Sequence, residues 1–397
     1  MRIVPYSRQS INQDDVDAVN DVLRSDWLTQ GPKVKEFEEA LASRCGAKHC
    51  VAVANGTVAL HLACLALGVK ERDVGITSPL SFLASANCIA YCGGRPEFAD
   101  IDRSRLCLSP DQVEEYCKTH KAPKVVVPVD FAGVPADLPR FSELSEKYGF
   151  RLVEDAAHAI GSRYTFEGQE YACGSCAHTD LAILSFHPVK NITTGEGGAI
   201  LTNDDELAMR LRRLSSHGIE RHPSRLVTRH SSLVTEFPAW YHEMQDLGFN
   251  ARITDIQSAL GISQLKRLDE FKSKRQHLVR KYNEAFEELE RKKIVLRPPW
   301  PENTEPCYHL YTLRLGAESK ISRDDLYLAL RDKGIFCQAH YIPIYRQPYY
   351  VDRFNAVPER FLETEKYFAS CLSLPLFPDM DEATFDYVVN TVLSLIR

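Results

Sequence analysis

The sequence predicts an α/β fold, a large α/β/α domain around a mostly parallel sheet followed by a smaller C-terminal α+β domain. Three observations carry that prediction. Between residues 50 and 203 short apolar runs alternate with helical patterns, the order expected of strands joined by crossover helices. The clearest runs are continuous rather than alternating, as in strands covered on both faces. The 397 residues also exceed the size at which a single core stops growing.

Taken in order, "KVKEFEEALASRCG" reads as an amphipathic helix with Phe37 and Leu41 four apart on one face and Gly46 as its stop. "VANGTVALHLACLALG" is an apolar strand, a turn at Asn55-Gly56-Thr57 and a second helix. Buried strands follow in "KVVVPVD" (124–130), "FRLVED" (150–155) and "LAILSF" (181–186), and the small residues of "RLVEDAAHAIG" are expected to open a helix past Asp155. From residue 253 to 293 runs one very long helical pattern, opened by a capping box of Thr254 and Gln257. "LRPPWPENTEP" is a rigid, exposed connector. Beyond it, "HLYTLRL" as a strand, "SRDDLYLALRDKG" as a helix between Ser322 and Gly334, and a helix after Asp381 build the second domain. The expected division is 1–253 and 254–397.

Charge and composition exclude some partners. With 48 basic and 54 acidic residues the net charge is -6, so no broad nucleic-acid surface is expected and any anion must be held by a local site. No run approaches the roughly 18 apolar residues of a membrane span. "MRIVPYSRQSINQDDVDAV" lacks the apolar core of an export signal, which leads to a cytoplasmic expectation with the 12 cysteines reduced. Only "CGSC" (173–176) has zinc or redox spacing, and without a second ligand pair no metal is expected.

The chemistry gathers at three strand ends. The Asn55-Gly56-Thr57 turn presents the unsatisfied amides of a helix N-terminus to an anion, although Asn55 or Thr57 could equally be a plain cap. Asp155 stands just past an apolar run, where open α/β sheets bind ligands, with His158 beyond it as either a site residue or a structural histidine. Lys190, in "SFHPVKNITTGEGGAI", follows the next strand, with Ser185 before it and a Gly-Gly turn after it. Alone it reads equally well as a surface charge. A desolvated lysine has a depressed pKa and attacks aldehydes. An anion turn, an aspartate and such a lysine together suit one cofactor, pyridoxal 5'-phosphate, with Asp155 ionised against the pyridine nitrogen.

The stretches "DWLTQGPKVKEFEEAL", "NGTVALHLA", "TSPLSFLASAN", "VEDAAHAIGS", "SFHPVKNITTGEGGAI", "SHGI" and "LGFNARITDIQSALGISQL" resemble the DegT-type sugar nucleotide aminotransferases of PLP fold type I. The resemblance runs from about residue 5 to the C-terminus. It implies an aspartate-aminotransferase-like fold and a homodimer with its active site at the interface. It also implies that Lys190 is the Schiff-base lysine, Asp155 the pyridine partner, His158 a neighbour of the ring and Phe82 the residue stacked on it. Gly56, Thr57 and Ser185 match the phosphate contacts, with Asn250 reaching in from the neighbouring subunit, and Thr29 and His217 match the sugar nucleotide positions. Relatives that dehydrate sugars carry histidine in place of the lysine, so Lys190 favours transamination.

Within that family, "WYHEMQDLGFNARITDIQSALGISQLKRLDEF" and "AHYIPIYRQPYY" are most similar to the branch that makes pseudaminic acid. That branch moves nitrogen from L-glutamate to the 4-keto carbon of a UDP-linked 4-keto-6-deoxy-N-acetyl-L-altrosamine. Tyr241, in a basic and aromatic loop from Arg221 that includes Arg229 and His230, and His340 and Tyr341 are the further substrate-binding candidates. The alternative is C4 amination of another nucleotide sugar, of the bacillosamine, legionaminic acid or perosamine type.

Overall fold

The computed structural model describes residues 2–227, 238–354 and 357–396. Two helices, Gln13–Leu23 (α1) and Pro32–Cys45 (α2), precede the central sheet, and α2 stops at Gly46, whose φ of 77° suits a residue without Cβ. The sheet takes strands His49–Val53 (β1), Val74–Thr77 (β2), Arg95–Phe98 (β3), Val125–Val127 (β4) and Arg151–Asp155 (β5). Between them run helices Gly56–Ala66 (α3), Ala84–Tyr91 (α4), Pro110–Thr119 (α5) and Leu138–Tyr148 (α6). A side hairpin, Arg163–Phe166 (β6) and Gln169–Ala172 (β7), separates β5 from Leu181–Ser185 (β8) and Gly198–Thr202 (β9), which lead into Asp205–Ser215 (α7).

The seven strands lie in the order β1-β9-β8-β5-β4-β2-β3. From β8 to β3 neighbours are parallel. Only β9 is antiparallel, to both β8 and β1. The runs read as buried strands are buried: β4 on all its residues, β5 on all but Arg151 and β8 on all but Ser185.

Two expectations need correction. Residues 156–161 form a turn and no helix: Ala159 N donates to Ala156 O at 2.9 Å, and Gly161 at φ 94° diverts the chain into β6. The long helical pattern is two helices, Asp255–Lys266 (α8) and Leu268–Arg291 (α9), after the short pair Ile219–Glu220 (β10) and Glu243–Met244 (β11). Arg267 leaves helical geometry at ψ 3°, and its guanidinium is held by Asp15 at 3.0 Å and by Ser10 at 2.8 Å. The capping box forms, with Thr254 and Gln257 in reciprocal hydrogen bonds.

The remaining elements are Val295–Leu296 (β12), Thr304–Glu305 (β13), Tyr311–Leu315 (β14), Arg323–Asp332 (α10), Pro348–Phe354 (α11), Leu362–Ser370 (α12), Cys371–Leu374 (β15) and Glu382–Ile396 (α13). Strands β12, β14 and β15 form a second sheet, whereas β13, within the connector, pairs with β6. Leu268 and Phe271 pack into the core around β8 and β9, while Leu278, Tyr282 and Phe286 pack into the core around β14, β15 and α13. The core therefore changes within α9, between Phe271 and Leu278. Val4 belongs to that second core, bridging Ile335, whereas Ser7 Oγ reaches back to the carbonyl of Val189 at 3.2 Å.

Candidate active site

A cleft of about 670 Å³ opens where β1, β5 and β8 end. Its first wall is the turn into α3. The Asn55 side chain accepts from Val58 N at 2.9 Å, so Asn55 rather than Thr57 caps the helix. The following residues, Gly56 and Thr57, line the cleft, where helix amides lack intrahelical partners. A Cβ at Gly56 would stand 2.9 Å from the Cβ of Ser185, which shows how closely this turn meets the end of β8. Behind them, a Cβ at Gly198 would lie 2.5 Å from the Asn55 carbonyl carbon. Gly198→Ala is expected to cost about 1–3 kcal/mol through this clash with backbone. Urea unfolding checks it, and an unchanged midpoint would mean that the turn yields.

The second wall is the end of β5. Asp155 is buried, accepting from Ser85 Oγ at 2.6 Å and from Ala157 N at 3.2 Å. Burial raises its pKa, while those hydrogen bonds and the charge of Lys190 pull it back down. His158 is also buried; its Nδ1 accepts from Ala132 N at 3.3 Å, which leaves the proton on Nε2, 3.3 Å from the hydroxyl of Tyr341. Desolvation, then the charges of Lys190 and His340, hold that ring well below the usual histidine range, so it is a neutral donor.

Lys190 closes the third side from the loop between β8 and β9, its N–H bonded to His187 O at 2.8 Å. Desolvation lowers its amine to about 8, against the opposing pull of Asp155. A substantial neutral fraction is thus present near physiological pH, the form that attacks a carbonyl. Phe82, 55% exposed, lines the cleft with its ring 6.3 Å from that of Tyr341. His340 lines it too, with Nδ1 2.8 Å from Ser373 Oγ and its pKa lowered to about 3 by burial.

The residues singled out from the sequence divide into two groups. Gly56, Thr57, Phe82, Asp155, His158, Ser185, Lys190, His340 and Tyr341 meet in the lining of this one cleft, whereas Thr29, His217, Tyr241 and Asn250 do not line it. Thr29 is exposed beside α8, its carbonyl accepting from Asp255 N at 3.1 Å. His217 N donates to Phe249 O at 2.9 Å, and Asn250 bridges Ser216. Tyr241 N donates to Pro238 O at 2.9 Å; Arg229 and His230 lie outside the described residues.

Sequence reasoning missed Tyr6, Ser81, Ser85 and Glu196, which also line the cleft, and His309, whose ring lies 4.4 Å from that of His158. Ser81 and Ser85 carried a readable signal, two hydroxyls four residues apart; their Oγ atoms are 2.7 Å from each other. Tyr6 and His309 carried none, being remote in sequence.

These residues fit pyridoxal phosphate. A helix N-terminus with two hydroxyls suits the phosphate, a buried carboxylate the ring nitrogen, an exposed aromatic face the ring and a desolvated amine the aldehyde. Comparison with known proteins agrees. The model of the DegT/DnrJ/EryC1/StrS aminotransferase family matches residues 9–393. The spore coat polysaccharide biosynthesis protein SpsC of Bacillus subtilis is 35% identical, over 99% of this chain and 97% of its own. PseC of Helicobacter pylori, an aminotransferase involved in the biosynthesis of pseudoaminic acid, superposes with a TM-score of 0.88 at 28% identity, covering 100% of this chain and 99% of its own. Spr1654 of Streptococcus pneumoniae, solved in PLP and PMP forms, does so at 0.86 and 25%, covering 99% and 98%. The chain belongs to the DegT/DnrJ/EryC1/StrS aminotransferase family and is a pyridoxal phosphate-dependent sugar aminotransferase.

Proposed function

We propose that this enzyme moves the amino group of L-glutamate to the 4-keto carbon of a UDP-linked 4-keto-6-deoxy-N-acetyl-L-altrosamine, in pseudaminic acid biosynthesis. The observation that carries this reading is the end-to-end likeness to PseC, TM-score 0.88 over the whole chain. His340 and Tyr341, from the stretch most similar to that branch, border the cleft and contact the sugar.

Bound pyridoxal phosphate supplies an electrophilic carbon and a ring that disperses charge. Lys190 would hold it and carry the proton; Asp155 would pair with the ring nitrogen, Phe82 and His158 would pack against the ring, and Gly56, Thr57 and Ser185 would bind the phosphate. Asn250, His217, Thr29 and Tyr241 do not line their own cleft, which supports service to a second one. Exposed Trp240, Met244, Leu247 and Phe249 in the same stretch are apolar surface suited to a dimer interface. We therefore assign a homodimer with composite sites, in which Arg221, His222 and Arg225 meet the diphosphate. Among the described residues no helix is long and apolar enough to cross a membrane, and the reading places the enzyme in the cytoplasm.

A panel of 4-keto nucleotide sugars with nitrogen-labelled glutamate tests substrate and reaction together. Labelled product is expected fastest from the L-altro ketone, and preference for a D-gluco ketone would replace this reading with the second one. That second reading is C4 amination of another nucleotide sugar, of the bacillosamine, legionaminic acid or perosamine type; the higher identity to SpsC, a spore coat polysaccharide biosynthesis protein, 35% against 28%, favours a product other than pseudaminic acid without naming which.

A further inference from the structure

Asp155 is backed by groups that the cleft does not contain. Side chains alternate along a strand, so Glu154 leaves the face of the sheet that Asp155 serves. Glu154, Asp130 and Cys173 are all buried, and their polar atoms lie within 4.8 Å of one another. Burial, and not a basic neighbour, is the largest influence on both carboxyls. Facing the pair are Cys45, Cys107, Cys173, Cys176 and Tyr164, whose protons burial holds firmly, and Asp155. Two ionised carboxylates so placed would be prohibitively costly in a dry core, so the pair holds a proton.

Hydrogen bonds identify its owner. Asp130 Oδ1 accepts from Ala136 N at 2.8 Å and the carboxyl also faces the Cys173 thiol, while Oδ2 is buried without a hydrogen-bond partner and is free to accept a proton from Glu154. Both oxygens of Glu154 share a single N–H, that of Gly174, at 3.0 and 3.1 Å. Burial and the charge of Asp130 push Glu154 well above the carboxylate range, whereas Asp130, with more donors, rises only to about 6.

We propose that Glu154 keeps its proton at neutral pH and donates it to Asp130, forming a positioning pair that sets Asp155 and His158 towards the cofactor. The backbone carries the effect. Asp130 N donates to Asp155 O at 3.1 Å, Asp155 N donates to Pro128 O at 2.8 Å, and Ala132, two residues past Asp130, gives His158 its N–H. A second charge at Glu154 would repel Asp130 and loosen that segment beneath both residues. The inference rests on the assignment of Asp155 to the cofactor and is independent of the sugar.

Urea unfolding of the full-length protein without cofactor, between pH 6.5 and 8, tests the proton directly. The folded chain keeps a proton that the unfolded chain has released, so stability falls as pH rises until the folded Glu154 titrates, by up to about tenfold in the folding constant per pH unit. Glu154→Gln, which cannot ionise, is expected to lose that slope. Identical slopes in Glu154→Gln and the wild type overturn the proposal, as does zinc released in stoichiometric amount on unfolding. In a second arm, Glu154→Val is expected to weaken pyridoxal phosphate binding about tenfold, the loss of one charge-assisted hydrogen bond, and Gln to restore it. Gln binding as poorly as Val also overturns it. If Val does not fold, the slope of the Gln variant decides alone. A wild type that binds no pyridoxal phosphate would refute the cofactor assignment, and the slope would still decide whether Glu154 holds the proton.

Discussion

Lys190→Ala is expected to abolish the visible absorbance of the bound cofactor and to lower turnover by roughly 10⁴-fold, since the roles proposed for Lys190 put a nucleophile and a proton carrier in one side chain. The wild-type amine makes a further prediction that needs no sugar. Only the neutral form attacks an aldehyde, and desolvation sets the amine at about 8. Mixed with pyridoxal phosphate, cofactor-free enzyme is expected to develop its band about tenfold faster per pH unit below 8 and to level off above it. Stopped-flow absorbance across pH 6 to 10 measures this. A rate still climbing at pH 10 would show an amine at its ordinary value, exposed to water. The same depression has a sign for stability. Below pH 8 folding confines a charged amine, and that cost fades as pH rises towards 10.5, where the unfolded lysine also loses its proton.

Asp155→Asn has the second largest expected effect, about 10² to 10³-fold in turnover, the range for removing one fixed electrostatic partner. The amide oxygen still accepts from Ala157 N while its NH2 donates to Ser85 Oγ, which turns its own proton to Ser81 Oγ, so the geometry is retained and the charge is lost. Burial raises the folded pKa of Asp155, so at neutral pH an ionised carboxylate there destabilises the cofactor-free wild type. The cofactor-free Asn variant is accordingly expected to unfold at equal or higher urea while holding pyridoxal phosphate more weakly. It also has a kinetic signature. Asp155 raises the pKa of Lys190, so its loss moves the plateau of cofactor capture below pH 8. A plateau that stays in place would mean that the two residues do not feel each other.

The strands that build the cleft were legible because β4, β5 and β8 are covered on both faces, and burial of that kind writes itself as unbroken apolar sequence. The sense of β9 was not, because direction depends on the length and turns of the preceding loop rather than on the apolar run. The Ala-Ala-His-Ala-Ile stretch after Asp155 has helical composition, yet Gly161 and the hydrogen bond of Ser162 Oγ to Gly133 O, 2.7 Å, turn it into the β6 hairpin. Tertiary contact overrode propensity there. At the site, Lys190, Asp155 and Gly56 could be found because strand ends are predictable places. Tyr6 arrives from the start of the chain and His309 from beyond the connector, both far from those strands in sequence, and no local pattern announces such a meeting.

The N-terminal residues stitch the two cores together. Val4 pairs with Ile335 in the second core and accepts from Phe336 N, Tyr6 O accepts from Leu376 N at 2.9 Å and Ser7 holds the lysine loop. The second core is therefore discontinuous in sequence, a C-terminal body completed by an N-terminal thread. An exchange of small domains between relatives, made to graft a new sugar preference, has to move residues 2–8 together with the C-terminal half. A single crossover in α9 would leave a foreign thread in the second core and alter a wall of the cleft.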